Sequence, residues 1–271
     1  MISYSEIETE GSKIGISPVT IEKDYHLDWY LAGLLSANLF SRFSFYGGTA
    51  IKKIFISNHR FSEDIDLISA GKLGIDALSK TLDLTHKFLE REANLFYSYN
   101  PDEIQIVGTQ TRFLIRYRGF SEIGGIKRFL LDFAQGIEAL PAPVPRKLIT
   151  TYRDLMGKKI EIPTLPLEVL CAEKLALIVD RKRKEPRDIY DLWSVLTQVR
   201  KFDRRLFLSR FQKVLSYSVD FSIIRSSFKD TDFQRAWEVR LKHQVPRLPA
   251  FDLVILELMD KLEAILMEDQ K

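Results

Sequence analysis

Hydrophobic and polar positions repeat with two different periods along this chain. From about residue 43 to 133, short apolar runs of alternating pattern are interrupted by Gly47-Gly48, Asn100-Pro101-Asp102 and Gly124-Gly125, which is how strands and turns read. Residues 43–46 form an apolar strand that stops at Gly47-Gly48; Thr49 then stands at a helix start, with Ala50, Ile51 and Ile54 at helical spacing. Asp64-Ile65-Asp66-Leu67 reads as a strand. Segments 95–99, 103–107 and 110–117 follow as strands, and a glycine turn leads into 126–133 to make an antiparallel hairpin.

Helical spacing dominates elsewhere. Residues 1–16 show no period and predict an irregular arm, while a helix starts near Thr20, past Pro18, with Tyr25, Leu27, Trp29, Tyr30, Leu31, Leu34 and Leu35 as a broad stripe. Residues 72–91 predict a long helix. Pro141, Pro143 and Pro145 predict an extended connector. One more strand is expected at 158–162, then helices at 166–179, from Asp188, and near 203–217, 220–228, 230–243 and 251–267. The expected architecture is α+β: a mixed sheet with flanking helices over 1–145, then a mainly helical domain over 146–271.

Composition narrows this only a little. With 271 residues, 45% hydrophobic and 28% charged, the chain reads as an ordinary globular protein. No apolar run reaches a membrane span and the N-terminus lacks an apolar signal core, so a cytoplasmic protein without membrane partners is expected. Cys171 is the single cysteine, which excludes an internal disulfide framework. The net charge of +3 is unspecific, but Arg181, Lys182, Arg183, Lys184 and Arg187 crowd together. Such a cluster suits a phosphate-bearing partner such as nucleotide or RNA, although charge runs are more often solvated surface.

The chemistry concentrates between Gly47 and Leu67. Strand alternation puts Asp64 and Asp66 on one face and Ile65 and Leu67 on the other. Two carboxylates about 5 Å apart repel by roughly 3 kcal/mol at an effective dielectric of 20, so a cation is expected between them, and hard oxygen ligands suit Mg²⁺ or Mn²⁺. Gly47 and Gly48 permit a sharp turn and close approach to a ligand, and a helix start at Thr49 suits phosphate. Asp132, between Leu131 and Phe133, needs a partner if its strand is central. Lys23 and Asp24 read equally well as a solvated helix face or as ligand-facing. Asp188 and Asp191 share a helix face, and Asp188 falls in a first turn, where a carboxylate is favoured.

Together, apolar-Gly47-Gly48-Thr49, Arg60-Phe61-Ser62-Glu63-Asp64-Ile65-Asp66-Leu67, Leu170-Cys171-Ala172-Glu173-Lys174-Leu175 and Arg187-Asp188-Ile189-Tyr190-Asp191-Leu192 resemble the AbiEii/MenT branch of the DNA polymerase β-like nucleotidyltransferases. These are toxin halves of bacterial toxin–antitoxin and phage-defence pairs. The resemblance implies a metal-dependent enzyme that moves NMP from an NTP to an RNA acceptor, such as a tRNA 3′ end, and an AbiEi-like antitoxin partner. It assigns metal binding to Asp64, Asp66 and Asp132. It assigns nucleotide contacts to Gly47, Gly48, Thr49, Arg60, Ser62 and Lys174, and a catalytic orienting role to Asp188. Lys174 would hold the triphosphate, where otherwise Glu173–Lys174 is a surface pair. The family order Arg-x-Lys-Asp is here Glu185-Pro186-Arg187-Asp188, which leaves the preceding basic contact open between Arg183, Lys184 and Arg187. An antibiotic-type nucleotidyltransferase and a non-catalytic binding module would use the same fold.

Overall fold

The structure, a computed structural model, describes residues 1–120, 125–180, 184–215 and 217–267. The chain divides into two compact units, Met1–Leu165 and Pro166–Lys271.

The first unit opens with α1 (Tyr4–Ile14) and α2 (Pro18–Ser36). Instead of an irregular arm, residues 4–14 are helical because polar groups fix both ends. Ser3 accepts the Glu6 N–H, the Glu6 carboxylate accepts the Ser3 N–H at 2.8 Å, and Gly15 closes the helix at φ 76°. Pro18 lies inside α2 rather than before it, as its first residue, with Ser17 as the cap.

The sheet strands are β1 (Ser44–Tyr46), β2 (Ile65–Ser69), β3 (Tyr97–Ser98), β4 (Gln105–Val107), β5 (Gln110–Arg118), β6 (Ile126–Gln135), β7 (Val144–Lys147) and β8 (Glu161–Thr164). Their order is β3-β5-β6-β2-β1-β8-β7, with β4 paired to β5. β2 runs parallel to β6 and β1 parallel to β8, while the other pairs are antiparallel. The one-turn helix α3 (Gly47–Ala50) follows β1 and passes into a π-helical turn over Ile51–Phe55; α4 (Ile75–Ala93) follows β2. Residues 144–147, expected as a connector, form an edge strand in which Pro145 faces Pro163; proline is tolerated at an edge because its missing N–H costs no ladder bond. This strand and β8 extend the sheet unit to Leu165.

One sheet face is the core. Ile65, Leu67, Phe113, Ile115, Phe129, Leu131 and Phe133 are buried there, and Tyr30 of α2 meets Phe129 edge-on at 5.0 Å. Alternate residues Asp66, Arg112, Leu114, Leu130 and Asp132 are half-buried and occupy the other face.

His26 is buried in this core, with Nδ1 2.7 Å from the Tyr97 hydroxyl, and Nε2 has no hydrogen-bond partner among the described residues. Burial, with Lys127 nearby, pushes its pKa down to about 3 from 6.5. The unfolded chain therefore binds the proton first, and stability present above pH 6.5 is lost as pH falls through that window. His26→Phe is expected to flatten the fall in melting temperature between about pH 7 and about pH 5; equal slopes for parent and variant would contradict this.

The second unit is helical: α5 (Leu167–Val179), α6 (Pro186–Gln198), α7 (Arg204–Leu215), α8 (Phe221–Ser227), α9 (Thr231–Leu241) and α10 (Phe251–Met267). α10 buries Val254, Leu258 and Leu262, one stripe at helical spacing, and its Glu257 accepts the Trp193 indole N–H at 2.7 Å. Among the described residues no helix is long and apolar enough to cross a membrane.

Candidate active site

The site in the first unit is assembled where β1 ends. Tyr46 pairs with Asp66 across the antiparallel β1–β2 ladder, so the next residue, Gly47, comes directly against the Asp66 carboxylate. Gly47 has φ 82°, and a Cβ there would lie 2.2 Å from Asp66 Oδ2. Only glycine meets both demands. Gly47→Ala is expected to cost about 1–3 kcal/mol of stability, because the left-handed backbone and the contact with Asp66 both oppose a Cβ, measured by urea unfolding; a parental unfolding midpoint would contradict this.

Thr49 is buried, and its hydroxyl bonds inward to Ser62 Oγ at 2.6 Å and to the Asp64 carbonyl. It thereby ties α3 to the chain entering β2. Arg60 is buried as well, donating to the Phe61 carbonyl at 3.2 Å.

Asp64 and Asp66 are half-buried while Ile65 and Leu67 are fully enclosed, as alternation requires. Asp64 Oδ1 accepts the Leu130 N–H at 3.3 Å. Asp132 lies on β6 directly beside Asp66, and Arg112 on β5 directly beside Asp132, so the three form a row across adjacent strands. Arg112 Nε and Nη2 each donate to a different Asp132 oxygen at 2.7 Å. That hydrogen-bonded pair, reinforced by the negative charge of Asp64 and Asp66, holds the guanidinium above its ordinary pKa.

Among the described residues no group of three or more His, Cys, Asp or Glu side chains is arranged to hold a metal ion. The donor chemistry nevertheless fits a hard divalent cation. Asp64 and Asp66 share a face, the Asp66 carboxylate is seated directly against the Gly47 backbone, and the neighbouring Asp132 is turned to Arg112.

Lys23 lies 3.9 Å from Glu63. Asp24 is not part of a solvated helix face. It is buried, pairing with Lys53 at 2.7 Å and accepting the Tyr152 hydroxyl at 2.8 Å, while Asp28 meets the same lysine at 2.5 Å. Burial works against the charged form of Asp24, yet Lys53 and Lys52 leave its pKa lowered. Burial dominates at Asp28 and raises its carboxyl to about 6.

In the second unit Lys174 is buried on α5 and pairs with both Asp188 and Asp191 of α6, each at 2.7 Å. Glu173, the preceding residue, instead binds Arg210 of α7 at 2.6 Å. Adjacent helical residues point in different directions, and among the described residues Glu173 and Lys174 take these separate partners. Of the basic cluster, Arg181, Lys182 and Arg183 lie outside the described residues. Lys184 pairs with Asp230 and Asp232, each at 2.8 Å, and Arg187 with Glu185 at 3.1 Å.

The sequence family described as "Nucleotidyl transferase AbiEii toxin, Type IV TA system" matches residues 29–266. The chain belongs to the AbiEii nucleotidyltransferase toxin family. It is an enzyme of the nucleotidyltransferase class. Two solved structures share the AbiEii fold seen here. MenT4, a nucleotidyltransferase toxin from Mycobacterium tuberculosis H37Rv, superposes with TM-score 0.63 at 17% identity, over 98% of this chain and 90% of that one. A protein from H. pylori described as a nucleotidyltransferase gives TM-score 0.55 at 18% identity, over 89% of this chain and 95% of that one. No curated protein matched the sequence.

Motif reading misses the pairings of Arg112 with Asp132 and of Lys53 with Asp24 and Asp28. Arg112 had a usable signal: once the 110–118 strand pairs antiparallel with 126–135, register alone sets Arg112 opposite Asp132. Lys53 and Asp28 had none, since each finds its partner only through packing of α2.

Proposed function

We propose that this AbiEii-family chain transfers NMP from an NTP to an RNA acceptor, such as the 3′ end of a tRNA, using Mg²⁺ or Mn²⁺. The observation that carries the reading is the row of Asp66 and Asp132 on neighbouring strands, with the Gly47 backbone against Asp66. Asp64 and Asp66 would hold the metal, with Asp132 as a third ligand or as the acceptor of the attacking hydroxyl's proton. When bound, the ion would polarise the α-phosphoryl group and offset charge on the leaving oxygen. The turn at Gly47, Gly48 and Thr49, with Ser62 bracing it, would cradle the triphosphate, and Arg60 would support that loop from within. Lys174, oriented by Asp188 and Asp191, would neutralise the pyrophosphate as the bond between the α-phosphorus and its bridging oxygen breaks. Arg181, Lys182 and Arg183, with Lys184 and Arg187, would meet RNA backbone. An AbiEi-like antitoxin, a phage-defence role and a cytoplasmic setting complete the reading.

Incubating the purified chain with α-labelled NTPs and either total RNA or aminoglycosides tests it. Label entering RNA, and lost on chelation, is the expected result. Label entering only the small molecule would replace RNA with an antibiotic acceptor, and no label in either would overturn the proposal.

A further inference from the structure

We propose that Arg112 is a latch: it holds Asp132 off the metal until a phosphodiester of the acceptor strand takes over the guanidinium. The inference rests on the metal-dependent reading above and assigns a positioning role to a residue outside every motif.

The Asp132 carboxylate has both oxygens engaged by one guanidinium. A carboxylate so clamped has its strongest acceptor directions occupied by N–H groups, so Asp132 is turned to Arg112 and away from a shared site with Asp64 and Asp66. The clamp is open to exchange. The Arg112 side chain is 40% exposed and Asp132 17%, so an ion pair there holds modestly and not as a buried pair would.

What can displace Asp132 follows from guanidinium chemistry. A planar fork of N–H donors that fits a carboxylate fits a phosphate diester equally well. Arg112 also lines an open cleft of about 460 Å³ together with Asp102, Glu103, Ile104, Gln105, Leu114 and Leu130. Its floor, Leu114 and Leu130, lies on the same sheet face as Asp66 and Asp132, and the Gln105 side chain adds amide hydrogen bonding. Apolar floor, amide and arginine suit a nucleotide with its base over the leucines and its phosphate on the fork. Of the two acids lining the cleft, Glu103 is paired with Arg116 at 2.5 Å, which lessens its repulsion of an incoming strand. Seating the acceptor would thus free Asp132 to turn toward Asp64 and Asp66, completing the site only when an acceptor is present.

Acceptor phosphate and Asp132 then compete for Arg112, and Asp132 is shared between Arg112 and the metal. Two binding measurements on the full chain test this without turnover. Mn²⁺ is titrated by electron paramagnetic resonance onto the parent, Arg112→Gln and the Arg112→Gln/Asp132→Ala double variant. A labelled oligoribonucleotide ending in a 3′-deoxyribose is titrated by anisotropy, without metal, onto the parent, Arg112→Gln and Asp132→Ala. Arg112→Gln is expected to bind Mn²⁺ about tenfold more tightly than the parent, a gain the double variant loses, and to bind RNA about tenfold more weakly; Asp132→Ala is expected to bind RNA about tenfold more tightly. A merely structural Arg112 would not produce opposite shifts in the two ligands. Arg112→Lys, which keeps the charge but not the fork, replaces Arg112→Gln if that variant melts early, with shifts of the same sign. If the parent binds Mn²⁺ but Arg112→Gln binds it no better, or if Asp132→Ala fails to gain RNA affinity, the latch is wrong and the metal site stands. If neither parent nor variant binds Mn²⁺, the metal reading falls and takes the latch with it.

Discussion

Asp66→Asn is expected to lower nucleotide transfer about 1000-fold or more, equivalent to about 4 kcal/mol of lost transition-state stabilisation, while leaving the melting temperature unchanged or slightly raised. The opposite signs come from one cause. Asp66 lies beside Asp132 in the sheet and near Asp64, and Arg112 is committed to Asp132 at 2.7 Å. Removing one negative charge from this group relieves repulsion in the metal-free fold. The amide keeps the volume of the carboxylate, so the close packing against Gly47 survives. A variant that melts like the parent but does not transfer nucleotide therefore isolates chemistry from folding. Activity within tenfold of the parent would remove Asp66 from the mechanism.

The second large effect is structural. Lys53→Met is expected to cost about 3–5 kcal/mol of stability, because it strands Asp24 and Asp28 together in the core. Asp24 is 4% exposed and Asp28 wholly enclosed, so neither acid can reach water to recover solvation. The two carboxylates also raise the Lys53 pKa against the effect of its burial, a sign that the lysine stays charged. Replacing all three groups, as Lys53→Met with Asp24→Asn and Asp28→Asn, is expected to recover much of the loss, since removing a whole buried ion cluster costs less than removing one partner. Urea unfolding of the single and triple variants measures both. A single variant within 1 kcal/mol of the parent would show that the cluster is solvated after all.

What could be read from the sequence follows the range of each interaction. The faces of β2 were legible because alternation is local: Ile65 and Leu67 inward, Asp64 and Asp66 outward, in agreement with their burial. The β5–β6 hairpin was legible from pattern, and the resemblance grouped Asp132 with Asp64 and Asp66, which agrees with its place beside Asp66. α1 is not legible from apolar period, because Ser3, Glu6 and Gly15 carry its signal at the ends. β7 escaped because Pro143 and Pro145 read as connector, and only an edge position beside β8 accommodates the Pro145 ring. Asp24 was undecidable from α2 alone. Its partner Lys53 comes from a different element, and nothing in either segment announces the meeting. The same holds for Arg112, which becomes visible only when strand register is worked out across the turn.

If Asp64 and Asp66 hold a divalent metal at the Gly47 turn, crystals grown with Mn²⁺ and a non-reactive NTP analogue will reveal it. Anomalous scattering should place manganese about 2.2 Å from oxygens of both aspartates and of the triphosphate. A triphosphate bound without manganese there, or manganese bound only elsewhere, would contradict the account.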